Sequence, residues 1–282
     1  MWIGAPGELR QITDGATKFL RAPEVKAGEF RALSGAITTW TPAVQPRRYS
    51  IDWDAMAPGD VAHIDALARQ ISHAGPIAVL DPLAVNLLQG RQSWGRGDIR
   101  QWGYSASTVT LYETGTAPGL VVANVSTPPT GGAEIVWTHP YSSWSGHPVP
   151  AGATVTWWPW TLATAHAAVL GAFSLSWYDV TSALVSTVTQ TDSTRPMVAV
   201  APPKAAFVVP GVLVKTPGFV TLGRSVLALG DASNLTSLGG ALPVGEGSPA
   251  VTITGYRHAM APGDGAWRDI GLDLVEVTSA TR

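Results

Sequence analysis

Hydrophobic and polar residues alternate with a period of two in several short segments of this chain. From Arg48 to Asp54, the residues Tyr49, Ile51 and Trp53 fall on one face and polar residues on the other. This alternation predicts a β-strand with one buried face. Further short runs rich in Val, Ile, Thr and Trp predict strands at 77–80, 108–112, 120–125, 134–138, 154–162, 173–178, 197–200, 206–209, 226–229 and 250–254.

One segment has the period of an α-helix instead. Between Pro58 and His73 the apolar residues recur every three or four positions, at Val61, Ile64, Leu67, Ala68 and Ile71. Asp60 lies in the first turn, and Gly75-Pro76 follows the last apolar position. The pattern predicts a helix over 58–73.

The fold class follows from the density of strands and turns. The 30 Gly and 22 Pro residues are spread between the strand segments, which is typical of a mainly β protein. Near residue 86 the composition changes, since eight of the 12 Trp residues lie between Trp94 and Trp177. We predict a small β-rich domain with one helix at 1–85 and a β-sandwich of jelly-roll type at 86–282. A last strand near 270–275 closes the sandwich or returns to the first domain, and the sequence leaves both open.

Composition excludes several classes of function. Apolar residues make up 45% of the 282 residues and charged residues 13%, which predicts a compact fold and no disordered segment. A net charge of −2 without a basic cluster argues against nucleic-acid binding. The absence of Cys excludes disulfides and thiolate metal sites. We expect no secretory signal, because the N-terminus lacks a basic region followed by an apolar stretch, and no membrane span, because no apolar run approaches about 20 residues.

Aromatic residues supply the candidate binding site. The run Trp157-Trp158-Pro159-Trp160 places Trp158 and Trp160 on one face only if Pro159 leaves the strand regular. Sugars stack their apolar faces on exposed aromatic rings, so this run and its neighbours are candidates for glycan binding. Packing in a core or a subunit contact is the alternative role for such residues. The glycan-binding candidates are Trp137, Tyr141, Trp144, Trp158 and Trp160.

Catalytic and metal-binding patterns are weak. His139, Ser142, Ser143 and His147 lie close together, but no G-x-S-x-G elbow surrounds either serine. The histidine spacing fits no zinc motif, and the predicted sandwich is poor in the paired carboxylates that glycoside cleavage needs. We therefore predict no catalytic residue, no metal and no cofactor, and a protein that is not an enzyme.

The first 88 residues resemble the N-terminal part of minor or distal tail proteins of long-tailed phages. The resemblance rests on spaced aromatics and turns, at Trp40, 46–49, 51–53, the helix from Pro58, 76–82 and 86–88. The second part resembles a jelly roll of the carbohydrate-binding-module type. That resemblance rests on Val149–Thr156, Leu175–Asp179 and Ala201–Ala206.

These resemblances imply a structural virion protein of a phage tail, a distal or minor tail or baseplate component made in the host cytoplasm. Its partners would be other tail proteins and further copies of itself in a hexameric or trimeric ring, with the sandwich facing outward. The assembly-interface candidates are Trp40, Tyr49, Trp53, Ile64 and Leu67. A second hypothesis is a receptor-recognition module for a host cell-surface glycan. A third, the accessory module of a secreted glycan-degrading enzyme, is disfavoured by the missing signal sequence. We further expect that deleting residues 1–85 abolishes assembly and leaves a soluble sandwich.

Overall fold

The computed structural model describes residues 1–23, 28–40, 46–81, 85–115, 119–238, 241–261 and 266–277. Across these ranges the chain is mainly β, as the sequence predicts. The strands are β1 (Trp2–Gly4), β2 (Arg10–Gln11), β3 (Lys18–Pro23), β4 (Gly28–Arg31), β5 (Ile37–Trp40), β6 (Arg47–Met56), β7 (Ile77–Leu80), β8 (Trp102–Tyr104), β9 (Val109–Thr114), β10 (Leu120–Val125), β11 (Ala133–Trp137), β12 (His147–Pro148), β13 (Thr154–Pro159), β14 (Leu170–Tyr178), β15 (Leu184–Gln190), β16 (Met197–Val200), β17 (Phe207–Val214), β18 (Gly218–Thr221), β19 (Ser225–Leu229), β20 (Ala250–Met260) and β21 (Arg268–Glu276). The helices are α1 (Pro58–Ala68), α2 (Gly90–Ser93) and α3 (Trp160–Ala165), with 3-10 turns at Ile99–Gln101, Ala167–Val169 and Ser233–Leu238.

The first unit is an antiparallel sheet covered by α1. Its strand order is β2-β1-β7-β20-β21-β6-β3. The alternation in β6 turns Tyr49, Ile51 and Trp53 into the core, and α1 packs Ile64 and Leu67 into the same cluster. Burial of side chains of this size contributes about 1.5–3 kcal/mol each, so this core stabilises the unit.

Helix α1 ends at Ala68, so the predicted extension to residue 73 was wrong. Gln70 adopts a left-handed conformation with a φ of 53°. The Ile71 N–H donates to the Ala66 carbonyl at 2.9 Å and the Gln70 N–H to the Leu67 carbonyl at 3.1 Å, which closes the helix in a Schellman motif. Ile71, which the periodicity placed on the buried face, is exposed. The apolar residues keep their helical spacing beyond the end of α1, and the capping residue is Gln70 instead of glycine. The end of the helix is therefore not marked in the sequence.

A two-stranded hairpin, β4–β5, lies apart from the first sheet. Its register runs from Gly28 opposite Trp40 to Arg31 opposite Ile37. Phe30 is 69% exposed, and Leu33 and Ile37 are exposed as well. The hairpin therefore carries apolar side chains outside both hydrophobic cores.

The second unit is a sandwich with one core of its own. A six-stranded sheet, β15-β14-β17-β11-β8 with β12 beside β17, faces two three-stranded sheets, β18-β10-β9 and β16-β13-β19. The Trp157 ring crosses the interior, and its Nε1–H donates to the Gly211 carbonyl at 3.0 Å. Trp137 meets Trp157 edge-on with ring centroids 4.9 Å apart. Tryptophans thus supply much of the packing between the sheets.

The strand predictions in the sandwich are largely confirmed, with one correction that matters for the site. The predicted strand 154–162 ends at Pro159, and α3 begins at Trp160. Trp158 and Trp160 therefore do not share a strand face. Proline cannot donate to the next ladder bond, which favours the end of a strand at this position. Strands β8, β12, β15 and β18 were not predicted.

The C-terminal strands return to the first unit. β20 pairs with β7, and β21 pairs with β6 along seven positions. The predicted assignment of 86–282 to one sandwich domain is corrected: the first unit comprises 1–81 and 250–277, and the sandwich lies between them. The alternating apolar face of β21 would fit the sheet of the first unit or a sheet of the sandwich. Periodicity alone therefore does not show which unit this strand joins.

Ion pairs stabilise the contact between the C-terminal part of the chain and the first unit. Arg47 donates to the Glu276 carboxylate at 2.9 Å, and both side chains are largely buried. Arg47 also donates to the Glu246 carbonyl, and Arg21 pairs with the Glu246 carboxylate at 2.6 Å. Loss of one partner would leave a buried charge uncompensated, which makes this contact sensitive to substitution.

Within the described residues, no helix is both long enough and apolar enough to cross a membrane.

Candidate functional site

Two of the five predicted glycan-binding residues lie in the sandwich core. Trp137 is fully buried, and Trp158 is 3% exposed. Trp158 packs edge-on against Phe173, with ring centroids 6.0 Å apart. In this structure neither ring offers a face to a ligand in solvent.

Tyr141 and Trp144 are half-buried on the loop that joins β11 to β12. Their rings meet edge-on at 5.6 Å, and Trp144 also packs against His139 at 4.8 Å and Phe207 at 6.1 Å. These contacts hold the loop against β17. Tyr141 and Trp144 therefore form a packed cluster at the end of the six-stranded sheet.

Trp160 is placed differently because Pro159 ends β13. The chain turns into α3 at this point, and the Trp160 N–H donates to the Arg224 carbonyl at 3.1 Å. The indole is half-buried and packs against the edge of the sandwich core. Among the predicted candidates, Trp160 lies beside further aromatic and cationic groups at the surface.

Arg224 lies between Trp160 and Trp94. The guanidinium carbon is 5.3 Å from each ring centroid. Trp94, the residue that caps α2, is 38% exposed. A cation over an indole face contributes about 0.5–1 kcal/mol at an exposed site, so the two contacts together hold the three side chains in register. We refer to Trp94, Arg224 and Trp160 as the Trp–Arg–Trp cluster.

Two tight loops position the cluster. The Val121 N–H donates to the Gly95 carbonyl at 2.7 Å, and the Leu222 N–H donates to the Val121 carbonyl at 3.0 Å, so both loops are bound to β10. A Cβ on Gly95 would lie 2.5 Å from the Gly223 Cα, which means that only glycine permits this approach. Gly95 has a φ of 67°, in the left-handed region.

Arg224 itself has a φ of 48°, also in the left-handed region. For a non-glycine residue this conformation costs of order 1 kcal/mol and persists only where the surroundings enforce it. Backbone strain of this kind is concentrated at functional sites. The cost falls on the one residue of the cluster that touches both rings.

The cluster is suited to recognition. Two indole rings give flat apolar faces, and the guanidinium has five N–H donors in a fixed plane. A ligand with both apolar C–H faces and oxygen acceptors, such as a sugar, matches this set. The rings are ordered before a ligand arrives, which lowers the entropic cost of binding.

Sequence inspection identified Trp160 but missed Trp94 and Arg224. Trp94 precedes Gly95-Arg96-Gly97, a segment that reads as an ordinary glycine-rich loop. Arg224 is far from both tryptophans in the sequence, and only the strand pairing brings it there. The positive φ of Arg224 has no sequence signal, because glycine and asparagine are the usual markers of that conformation.

The predicted assembly-interface residues of the first unit lie mostly in its core. Tyr49, Trp53, Ile64 and Leu67 are all buried within the subunit. They therefore build the unit and do not form a docking surface in this structure. Trp40 ends β5 opposite Gly28, and its side chain is outside the described part of the structure.

His139 and His147 form a buried pair where the sandwich meets the segment that leads to β20. Their ring centroids are 5.3 Å apart. His139 Nε2 lies 2.9 Å from the Ser248 carbonyl and its Nδ1 accepts from the Tyr141 N–H at 3.0 Å, which assigns the neutral Nε2–H tautomer. Burial lowers the pKa of His139 to about 4 and also lowers the pKa of His147.

The described residues contain no group of three His, Asp or Glu side chains arranged to hold a metal ion. The histidine pair joins the two units through Ser248, since His147 Nδ1 lies 3.3 Å from the Ser248 hydroxyl. Its role in this structure is a buried polar contact.

No family model and no curated protein sequence matches this chain. Among solved structures, it is similar to the CBM22-1–GH10 modules of the Clostridium thermocellum endo-1,4-beta-D-xylanase 10B complexed with xylohexaose, with a TM-score of 0.29 and 10% identity. That match covers 55% of this chain and 29% of the xylanase chain, so the chain spans less than a third of the xylanase. A second match is the C-terminal family 22 carbohydrate binding module of the same Clostridium thermocellum enzyme, with a TM-score of 0.20, 11% identity and coverage of 71% and 98%. At these TM-scores the similarity carries no argument about a ligand.

Proposed function

We propose that the sandwich binds a glycan at the Trp–Arg–Trp cluster and that the chain does so as a non-enzymatic structural component of a phage tail. The observation that supports glycan binding is the position of Arg224, 5.3 Å from the centroids of two partly exposed indoles. The proposal keeps Trp160 from the sequence prediction and replaces the buried Trp137 and Trp158 with Trp94 and Arg224.

The physical argument is one of complementary surfaces. Sugars bury C–H faces against aromatic rings while their hydroxyl and ring oxygens accept hydrogen bonds. Trp94 and Trp160 provide the rings, and Arg224 provides donors at their common edge. Because the cation holds both rings, little side-chain entropy is lost on binding.

A purely structural role for the cluster makes a different prediction. If Arg224 serves only to fasten two loops, removal of either indole lowers the stability of the sandwich and affects no ligand. Binding and stability therefore have to be measured on the same variants.

The test is a glycan-array screen of the full chain, followed by titration calorimetry on the strongest ligand. We expect Trp94→Ala and Trp160→Ala to weaken binding at least about tenfold, which corresponds to about 1.4 kcal/mol. Trp267→Ala is a matched control, because Trp267 is 37% exposed on the first unit. A silent array, or equal loss in the control, would overturn the proposal.

A second function, assembly with further copies, is favoured by the exposed hairpin. Phe30, Leu33 and Ile37 on the hairpin and Leu20 on the edge strand β3 present apolar side chains to solvent. Exposed apolar patches and free strand edges are typical of surfaces that become covered in an assembly. The resemblance of the first 88 residues to phage tail proteins leads us to propose a closed ring of three or six copies, in contact with other tail proteins of the virion.

Light scattering on the purified full chain tests the assembly proposal. A mass of three or six chains is the expected result. A monomer at all accessible concentrations would contradict self-assembly and leave the glycan proposal untouched.

A further inference from the structure

The outer face of the β18-β10-β9 sheet carries a second set of aromatic side chains. The register places Phe219, Asn124 and Thr110 in one row across the three strands. The neighbouring row consists of Thr221, Val122 and Tyr112. The alternate residues of these strands, such as Val121, Ala123 and Val220, fill the core. Both rows therefore point away from the sandwich interior.

The rows carry no charged side chain and are accessible at Phe219, Thr110 and Tyr112, whereas Val122 in the second row is buried. Phe219 is 62% exposed and Tyr112 is 37% exposed. Asn124 is half-buried and is the neighbour of Phe219 in its row, so an amide lies beside that ring, and the exposed Thr110 lies one strand further on. An uncharged face with two aromatic rings and polar neighbours is complementary to a neutral ligand that is both apolar and rich in hydroxyl groups.

The sheet adjoins the two loops that carry the Trp–Arg–Trp cluster. Beyond the end of β18, residues Gly95 and Arg96 take its place beside β10, through the bond from Val121 to Gly95 and the bridge between Arg96 and Leu120. On the other strand, Arg224 follows Thr221 by three residues. The two rows thus lead along the sheet toward Trp94 and Arg224.

The spacing of the rings sets the size of the ligand. Tyr112 lies two strand spacings across the sheet and two residues along it from Phe219. With a strand spacing of about 4.8 Å and a rise of about 3.4 Å per residue, the separation is about 12 Å. One sugar ring does not span that distance. Ligand contact with both rings, and with the cluster beyond them, requires several linked sugars.

We infer that the outer face of the β18-β10-β9 sheet extends the Trp–Arg–Trp cluster into a binding strip for a linear, uncharged polysaccharide, with Tyr112 and Phe219 as additional stacking positions. This inference rests on the proposed glycan binding and adds the class and length of the ligand. A second copy of the chain is the competing occupant of the face. The neutrality of both rows and the proximity of the loops that carry the cluster favour the polysaccharide.

The experiment is calorimetry on the full chain with six β-1,4-linked oligosaccharides. They are the disaccharide and the hexasaccharide of glucose (cellobiose and cellohexaose), of xylose and of N-acetylglucosamine. At least one hexasaccharide is expected to bind about tenfold or more tightly than its disaccharide. Tyr112→Ala and Phe219→Ala should each remove much of that gain and leave the disaccharide affinity unchanged, whereas Trp160→Ala weakens both. Tyr104→Ala is the matched control, since Tyr104 is exposed on β8 of the other sheet.

The outcomes separate the two proposals. Equal affinity for the short and long forms, or unaltered hexasaccharide binding in the Tyr112 and Phe219 variants, overturns the strip and leaves the cluster. A positive glycan array without binding of any of the six probes overturns the proposal that the ligand is a neutral linear polysaccharide. A silent array with no binding overturns both proposals. A change of oligomeric mass in Phe219→Ala, measured by light scattering, assigns the face to contact between copies and overturns the strip.

Discussion

At the scale of single residues, the site depends on Arg224 more than on any aromatic residue. It holds a left-handed conformation and contacts two indoles at the same time. The aromatic-rich run in the sequence identified Trp160 as a candidate, but exposed and buried tryptophans give the same sequence pattern. It did not separate Trp160 from Trp158, since that difference arises from Pro159, which ends the strand between them.

Arg224→Gly separates the binding role of this residue from a structural one. Glycine relieves the left-handed strain of about 1 kcal/mol, and this gain offsets the loss of two cation–π contacts of about 0.5–1 kcal/mol each. We expect the free energy of unfolding to change by no more than about 1 kcal/mol, while glycan affinity falls at least about tenfold. Urea denaturation and calorimetry on the same sample check this. Intact binding in a stable Arg224→Gly variant would contradict the account.

The buried histidines make stability dependent on pH. The unfolded chain takes up a proton on His139 near pH 6.5, whereas the folded chain does so only near pH 4, so stability falls as the pH drops through this window. At pH 5, protonation of His139 in the unfolded chain lowers the free energy of unfolding by about 2 kcal/mol relative to pH 8. His139→Gln should reduce the pH dependence measured by urea denaturation, and the buried His147 accounts for a further part of it. His258→Gln, on an exposed stretch of β20, is the matched control variant. An unchanged slope in His139→Gln would exclude the histidine as its cause.

At the scale of elements, sequence periodicity located most strands but not their ends. β10 and β16 begin and end where the sequence predicts them, because both are short Val-rich runs between turns. Helix α1 and strand β13 end at a left-handed Gln70 and at Pro159, and both ends depend on local backbone geometry. β15 escaped prediction because its exposed Ser and Thr positions give little hydrophobic contrast.

The hairpin β4–β5 is the element that tests assembly. Phe30 and Ile37 are exposed, so replacing both with Ser removes an apolar contact surface while the two cores stay intact. We expect the double variant to lose its oligomeric mass in light scattering and to keep its unfolding free energy within about 1 kcal/mol. Val200→Ser, an exposed position on β16, is the control. Retention of the parent mass in the double variant would remove the hairpin from the interface.

At the scale of the whole molecule, the chain leaves the first unit, builds the sandwich and returns. The return is fixed by the pairing of β21 with β6 and by the buried ion pair between Arg47 and Glu276. Sequence patterns give the number of apolar faces, but the partner of each face depends on contacts between distant segments. For that reason the fold class was predictable and the division into units was not.

This connectivity changes the expectation for deletion of residues 1–85. A fragment 86–282 keeps β20 and β21 without their partners β6 and β7, which leaves apolar strand edges exposed. We expect it to aggregate, while a fragment 86–249 unfolds cooperatively because the sandwich has its own core. Thermal unfolding followed by circular dichroism, together with light scattering, compares the two. Equal solubility of the fragments would contradict the assignment of the C-terminal strands.

The most direct test of the central claim is a crystal structure of the full chain with the strongest oligosaccharide from the array. We expect a sugar ring on the face of Trp94 or Trp160, with an Arg224 N–H donating to one of its oxygens. A sugar bound at another surface, with the Trp–Arg–Trp cluster empty, would contradict it.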